Sequence, residues 1–254
     1  MPISFQTRPA LVAYITCGDP DLATSRDIAL AAVESGASVI ELGVPFSDPL
    51  ADGPVIQRAS QRALQHGTSL TQVIELGGEI RRQSQAGLII FSYLNPILRI
   101  GLENFSAGLQ DAGIDGALIT DLPIEEAGDY LHHMRRRNLA TIFLAAPTST
   151  DERLKRIAEV SRGFVYAVSR TGVTGARQEM AQEARRLVRR LRNYTKLPIA
   201  VGFGISTATQ LAGVGEFADA AVVGSAIVQT IESNPGNEAR SVAEFIRKML
   251  VNGR

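Results

Sequence analysis

The chain has 254 residues, 45% of them hydrophobic, enough to bury a substantial core in one large domain or two small ones. Its 26 acidic and 26 basic side chains balance, which leaves no bulk electrostatic reason to expect nucleic acid or an anionic membrane as a partner. Cys17 is the only cysteine, which excludes an intrachain disulfide and a thiolate metal cluster and fits a reducing cytoplasm.

Short apolar runs rich in β-branched residues predict eight strands, at residues 10–16, 38–43, 87–94, 116–120, 140–145, 164–169, 198–202 and 220–224. Ahead of the first, Arg8 precedes only a short apolar stretch without a small-residue cleavage pattern, so no signal peptide is expected. The turn after it reads Thr16-Cys17-Gly18-Asp19-Pro20 and lacks the glycine fingerprint that a dinucleotide-binding fold carries there. The third run is the most apolar, but Asn95-Pro96 interrupts it well short of the ~20 residues of a membrane span. After the fourth, Pro123, Glu125 and Glu126 predict a helix start, and Arg135 to Arg137 with Asn138 predict its end. Further on, Ala184, Leu187, Val188 and Leu191 share one helical face. Eight strand-helix units without a linker fit a single (β/α)8 barrel domain over residues 1–254 better than an open doubly wound sheet.

In a barrel the chemistry sits at the carboxyl ends of the strands. Glu41 there shares a strand face with Val39, opposite Ile40 and Leu42, where an apolar residue would be expected. A carboxylate in a buried strand end costs several kcal/mol unless paired, wet or protonated, so it suggests a tuned proton carrier. The loop that follows, roughly ten residues long, exceeds the usual two to six and carries Asp48 and Asp52. Asp52 before Gly53-Pro54 also reads as a turn or helix cap, and Asp48-Pro49 as a turn. Tyr14, Tyr93 and Tyr166 fall near strand carboxyl ends as hydrogen-bonding neighbours or as wall residues. His66, His132 and His133 fall in helical segments without metal-ligand spacing, and Lys155, Lys196 and Lys248 lie away from the expected site. Carboxylates remain as the proton-transfer groups, with no metal and no cofactor anchored by lysine. Glycines and hydroxyls after the last three strands, in Ser169-Arg170-Thr171-Gly172-Val173-Thr174-Gly175, Gly202-Phe203-Gly204-Ile205-Ser206 and Gly224-Ser225-Ala226, predict a phosphate cradle with a short helix starting at Ser225.

Residues 41–57, reading ELGVPFSDPLADGPVIQ, closely resemble the signature of the tryptophan synthase alpha subunit family. The same order of pieces continues in Gly18-Asp19-Pro20, Tyr93-Leu94-Asn95-Pro96, Asp121-Leu122-Pro123 and the three glycine-rich strings, so the resemblance spans about residues 10–228. It implies a (β/α)8 barrel that cleaves indole-3-glycerol phosphate to indole and glyceraldehyde 3-phosphate by a retro-aldol reaction. The chain would need no cofactor of its own and would pass indole to a pyridoxal-phosphate-containing beta subunit, in a cytoplasmic complex of two alpha and two beta chains.

Carried over by motif, the resemblance makes Glu41 the acid and base, Asp52 the carboxylate that holds the indole N–H, and Tyr166 a neighbour of the reacting side chain or of Glu41. Tyr14, Tyr93 and Phe203 would line the indole pocket, and Gly175, Phe203, Gly204, Gly224 and Ser225 would take the phosphate. Arg170 and Thr174 would help to close the strand-six loop, and Pro45, Asp48, Pro49, Asn95 and Gly172 would face the beta subunit. One departure is the short stretch before the first strand, where the family usually places a helix that plugs the barrel bottom; this puts bottom closure in question rather than the site. Two other readings remain open. Indole-3-glycerol phosphate synthase shares the fold but depends on lysines missing from the right end here. A subunit that mainly docks and activates its partner differs from a stand-alone lyase in its rate with and without a beta subunit.

Overall fold

The computed structural model describes residues 3, 5, 7–168, 177–202 and 204–251. Among the described residues nine parallel strands, β1 (Ala10–Thr16), β2 (Ala37–Gly43), β3 (Gly87–Ser92), β4 (Gly116–Ile119), β5 (Ala140–Ile142), β6 (Leu144–Ala145), β7 (Val165–Val168), β8 (Ile199–Gly202) and β9 (Ala220–Val223), form one sheet, with helices between all of them except β5 and β6. β1 lies between β2 and β9, so the first and last strands are neighbours. The expected fifth strand is broken at Phe143: its first piece, β5, pairs with β4 and its second, β6, with β7. One stave thus changes partners partway along, and the nine strands form the eight staves of a nearly closed (β/α)8 barrel.

Alternation along the strands divides the apolar side chains into two cores. Leu11, Ala13, Ile15, Ile40, Leu42, Leu88 and Ile90 point outward under the helices. Val12, Val39, Ile89, Leu118, Ile142, Phe164 and Val222 fill the barrel. Ile3 and Phe5 pack with this inner set, and Phe5 stacks at a tilt on Phe164 with ring centroids 5.6 Å apart. These two side chains cover inner-core surface at the barrel bottom, where the family places a plugging helix.

Two local expectations differ from what is observed. Pro123 to Glu126 form a turn, closed by Glu126 N–H on the Pro123 carbonyl at 3.0 Å, and the helix starts only at Gly128–Arg136. It ends as its sequence indicates, with Asn138 at φ 54°, the left-handed conformation that asparagine tolerates. Asn95-Pro96 does not stop the chain but sits in the first turn of the helix Leu94–Ile100, where no intrahelical N–H donor is needed. Asp121 receives the Leu94 N–H at 2.7 Å and anchors that helix to the neighbouring stave. Among the described residues no helix is long and apolar enough to cross a membrane.

Candidate active site

Glu41 lies one inward step above Val39, so the parity of β2 drives its carboxyl into the upper end of the barrel. It is 1% exposed. Neither carboxyl oxygen has a hydrogen-bond partner among the described residues. Such a group is destabilising as an anion. Desolvation accordingly pushes its pKa from 4.5 up to about 8, so at neutral pH Glu41 is a protonated acid with its proton available. It faces a cavity of about 390 Å³ whose wall also contains Tyr14, Asp52, Phe91, Tyr166, Gly204, Gly224 and Ser225.

The long loop brings Asp52 to the same cavity. Asp52 N–H bonds the Pro49 carbonyl at 3.0 Å, and Gln57, a turn into the helix Pro54–Gln65, donates to the Asp52 carbonyl at 3.0 Å. The carboxylate itself is held by Tyr93. The Tyr93 hydroxyl accepts from Ala51 N–H at 2.9 Å, which commits its own proton to Asp52 Oδ2 at 3.0 Å. Tyr93 is 4% exposed and stacks on Phe46 with centroids 4.9 Å apart. It thus orients Asp52 through its hydroxyl, and it is not among the residues that line the cavity.

Two tyrosines share the upper barrel with the carboxyls. Tyr14 meets Phe91 edge-on at 5.1 Å, and its hydroxyl lies 3.4 Å from Thr16 Oγ1. Burial first, and the Asp52 charge second, push its pKa well above the ordinary value of 10.0, so it is a neutral hydroxyl beside two carboxyls. Space for the tyrosines comes from inward glycines: a Cβ on Gly43 would lie 2.4 Å from the Tyr14 hydroxyl oxygen and one on Gly202 2.5 Å from that of Tyr166. Any side chain at either position would displace a hydroxyl.

Beyond β1 from Glu41, at the ends of β8 and β9, the rim is made of backbone. The helix Ser225–Glu232 starts at the cavity with Gly224 as N-cap and no side-chain cap, so its first N–H groups and its dipole face the opening. On the neighbouring stave, Gln210 Oε1 accepts the N–H groups of Ser206 at 2.8 Å and Thr207 at 3.2 Å, which fixes the loop that carries Gly204. Gly204 has φ 80°, and a Cβ there would meet no atom of the described residues within 4 Å. The cost of a side chain there would be backbone strain of about 1–2 kcal/mol. Gly204→Val is therefore expected to weaken glycerol phosphate binding by roughly 10-fold or more while free indole binding changes little. Titrating the two ligands separately checks this: equal loss of both would indicate misfolding, and no loss of phosphate affinity would place the anion elsewhere. The other expected site residues, Arg170, Gly172, Thr174, Gly175 and Phe203, lie outside the described residues.

Asp48 and Asn95 are exposed, Pro49 is half-buried and Pro45 is buried in this chain. Pro45 and Asn95 line a second groove of about 420 Å³ between the strand-two loop and the helix Leu94–Ile100. On the same loop and the same helix, Leu50 is 91% exposed and Leu98 56% exposed.

Sequence reasoning overlooked Phe91, Thr120 and Leu144 in the cavity wall. Each has the inward parity of Glu41 at a strand end, so extending that parity around the ring finds them. Ala51, Ile56 and Met180 also contribute, from a loop and from helices, and no local signal marks them.

A sequence profile of the tryptophan synthase alpha chain family matches residues 3–252. The alpha chain of Solibacter usitatus is 49% identical over 237 residues, covering 93% of this chain and 89% of that one. That of Neisseria meningitidis serogroup B is 45% identical, covering 94% and 92%. Among solved structures, a chain of the tryptophan synthase a2b2 complex from Pyrococcus furiosus superposes with a TM-score of 0.90 at 39% identity, covering 96% of this chain and 98% of that one. A chain of tryptophan synthase from Mycobacterium tuberculosis does so with a TM-score of 0.89 at 36% identity, covering 97% and 93%. With the sequence matched almost end to end and the barrel superposed, the chain belongs to the tryptophan synthase alpha chain family.

Proposed function

We propose that this chain is a lyase that cleaves indole-3-glycerol phosphate to indole and glyceraldehyde 3-phosphate, as a single barrel domain in the cytoplasm. The observation that carries the reading is the buried Glu41 carboxyl, which has no partner among the described residues and whose pKa burial raises, facing a cavity that also holds Asp52. Glu41 gives its proton to the ring carbon that bears the side chain, and the positive charge that develops on the ring nitrogen is met by the Asp52 carboxylate. Glu41, now an anion, takes the proton of the adjacent side-chain hydroxyl. The carbon–carbon bond breaks, its electron pair restores the aromatic ring, and the hydroxyl carbon leaves as the aldehyde. Tyr166 lies beside the reacting side chain, Tyr14 and Phe91 flank the ring, and the phosphate lies on Gly204, Gly224 and Ser225 at the helix start. Indole release from indole-3-glycerol phosphate by the purified chain tests the reading directly, and no release, with or without a beta subunit, would overturn it.

The partner in this reading is the beta subunit of tryptophan synthase, in a complex of two alpha and two beta chains. Mutual activation is described for the a2b2 complex of Pyrococcus furiosus. The exposed face of Asp48, Leu50, Asn95 and Leu98 offers the apolar surface that such an interface needs. If substrate-like ligands and the beta subunit favour the same closed state, each tightens the other by a typical ~1–3 kcal/mol, and the effect is reciprocal. Calorimetric titration with the cognate beta subunit should show tighter binding in glycerol phosphate and weaker binding for Asp48→Ala. Equal affinity in all three titrations would remove the interface assignment and leave the lyase assignment in place.

A further inference from the structure

The Gly18-Asp19-Pro20 motif takes no part in the chemistry above, yet Asp19 is a buried carboxylate at 3% exposure. Arg62 grips it with two parallel bonds, Nε to Oδ1 and Nη2 to Oδ2, both 2.8 Å. The remaining nitrogen of Arg62, Nη1, reaches Glu232 Oε1 at 2.7 Å. Arg58 then grips Glu232 from the other side, at 2.9 Å and 2.7 Å. Planar, bidentate pairs of this kind fix geometry as well as charge. The two guanidiniums hold the Glu232 carboxyl down at about 2, with the Arg58 hydrogen bond as the largest cause.

The ends that this network ties together matter. Arg62 is in the last turn of the helix Pro54–Gln65, which begins two residues after Asp52. Glu232 is the last residue of the helix Ser225–Glu232, whose first residue lies in the cavity wall. Both helices thus start at the site and end at the network, about 10–12 Å away by helix rise. Between the two ends, Ala59 and Val228 meet on Tyr14, with Val55, Ile56 and Phe91 packed alongside.

We propose that Arg62 is a positioning residue that joins the Asp52 end of the site to the Ser225 end, so that occupation of the phosphate rim and of the ring pocket reinforce each other. The inference rests on the phosphate and indole assignments above. Two helices pinned at their far ends and packed along a common seam shift together, so ordering one end by a bound anion restricts the other. Removing the guanidinium altogether would leave Asp19 buried without its partner and endanger folding. The informative variants are therefore milder. Arg62→Lys keeps a cation for Asp19 but cannot span both carboxylates, and Glu232→Gln keeps the Asp19 pair while loosening only the helix Ser225–Glu232.

The experiment titrates the purified chain with indole in the absence and presence of saturating glycerol phosphate, well below the melting temperature of each protein. For the parent chain, glycerol phosphate is expected to tighten indole binding by roughly 5-fold or more. In both variants that factor should fall towards one while indole alone binds within about 2-fold of the parent. Variants that melt at lower temperature but keep the parent's factor would reduce the network to a structural clamp and overturn the proposal. A parent chain that binds both ligands without mutual effect overturns it as well. A parent chain that binds indole but not glycerol phosphate overturns the phosphate assignment and the coupling with it, so the two failures are distinguishable.

Discussion

Replacing Glu41 by Gln is expected to lower the rate of indole release at least ~100-fold, the scale of general acid–base catalysis. The amide keeps the shape of the carboxyl but has no proton to exchange with the ring carbon or the side-chain hydroxyl. A near-normal rate at matched melting temperature would reassign the proton carrier. Stability supplies a second readout with a defined sign. In the unfolded chain this carboxyl ionises above its ordinary 4.5, whereas in the barrel it keeps its proton up to about 8. Between those values the folded state binds more protons than the unfolded one, so stability is fully present below the unfolded value and falls as pH rises through the window. The slope from this group is about 1.4 kcal/mol per pH unit. The amide of the Glu41→Gln variant would carry no such slope. Its melting temperature relative to the parent should therefore rise steadily from about pH 5 to about pH 8, and parallel curves would show that Glu41 is not held neutral.

Asp52→Asn is expected to cost roughly 100-fold in turnover, comparable to removing one preorganised electrostatic contact in an enzyme site. The geometry explains why a near-isosteric change should act so strongly. Tyr93 accepts from Ala51 N–H and so has only its proton to offer Asp52. A carboxylate can accept from Tyr93 with one oxygen and from the indole N–H with the other. An amide must turn its NH2 towards one of these two donors, and it has no charge to meet the ring cation. Substrate affinity should change far less than the single-turnover rate. A defect confined to affinity would make Asp52 a positioning residue rather than part of the chemistry.

Both experiments concern carboxylates that stand out in the amino-acid sequence, though to different degrees. Glu41 is legible there because strand parity is a local property: alternate side chains must take opposite faces, and a carboxylate in an apolar strand breaks the pattern. The same regularity makes the barrel legible, since eight apolar runs alternating with helices have few other ways to bury both faces of a parallel sheet. Asp52 is legible only as one carboxylate of an unusually long loop, with a turn or cap role equally open. Its alignment with Glu41 depends on Gln57 and Tyr93, the latter 41 residues away.

By itself, then, the sequence determined the fold class, the end of the barrel where chemistry occurs, and Glu41 as a buried acid, because each follows from periodicity and the cost of burying charge. Only the tertiary structure decided the rest. It divided the fifth stave at Phe143 between two partners, and it packed Ile3 and Phe5 against the inner core. It joined Tyr93 to Asp52 and tied Asp19, Arg62 and Glu232 into one network. These outcomes join residues up to 170 positions apart, and contacts at that separation depend on how helices and strands pack around the closed ring, which no local pattern of residues encodes.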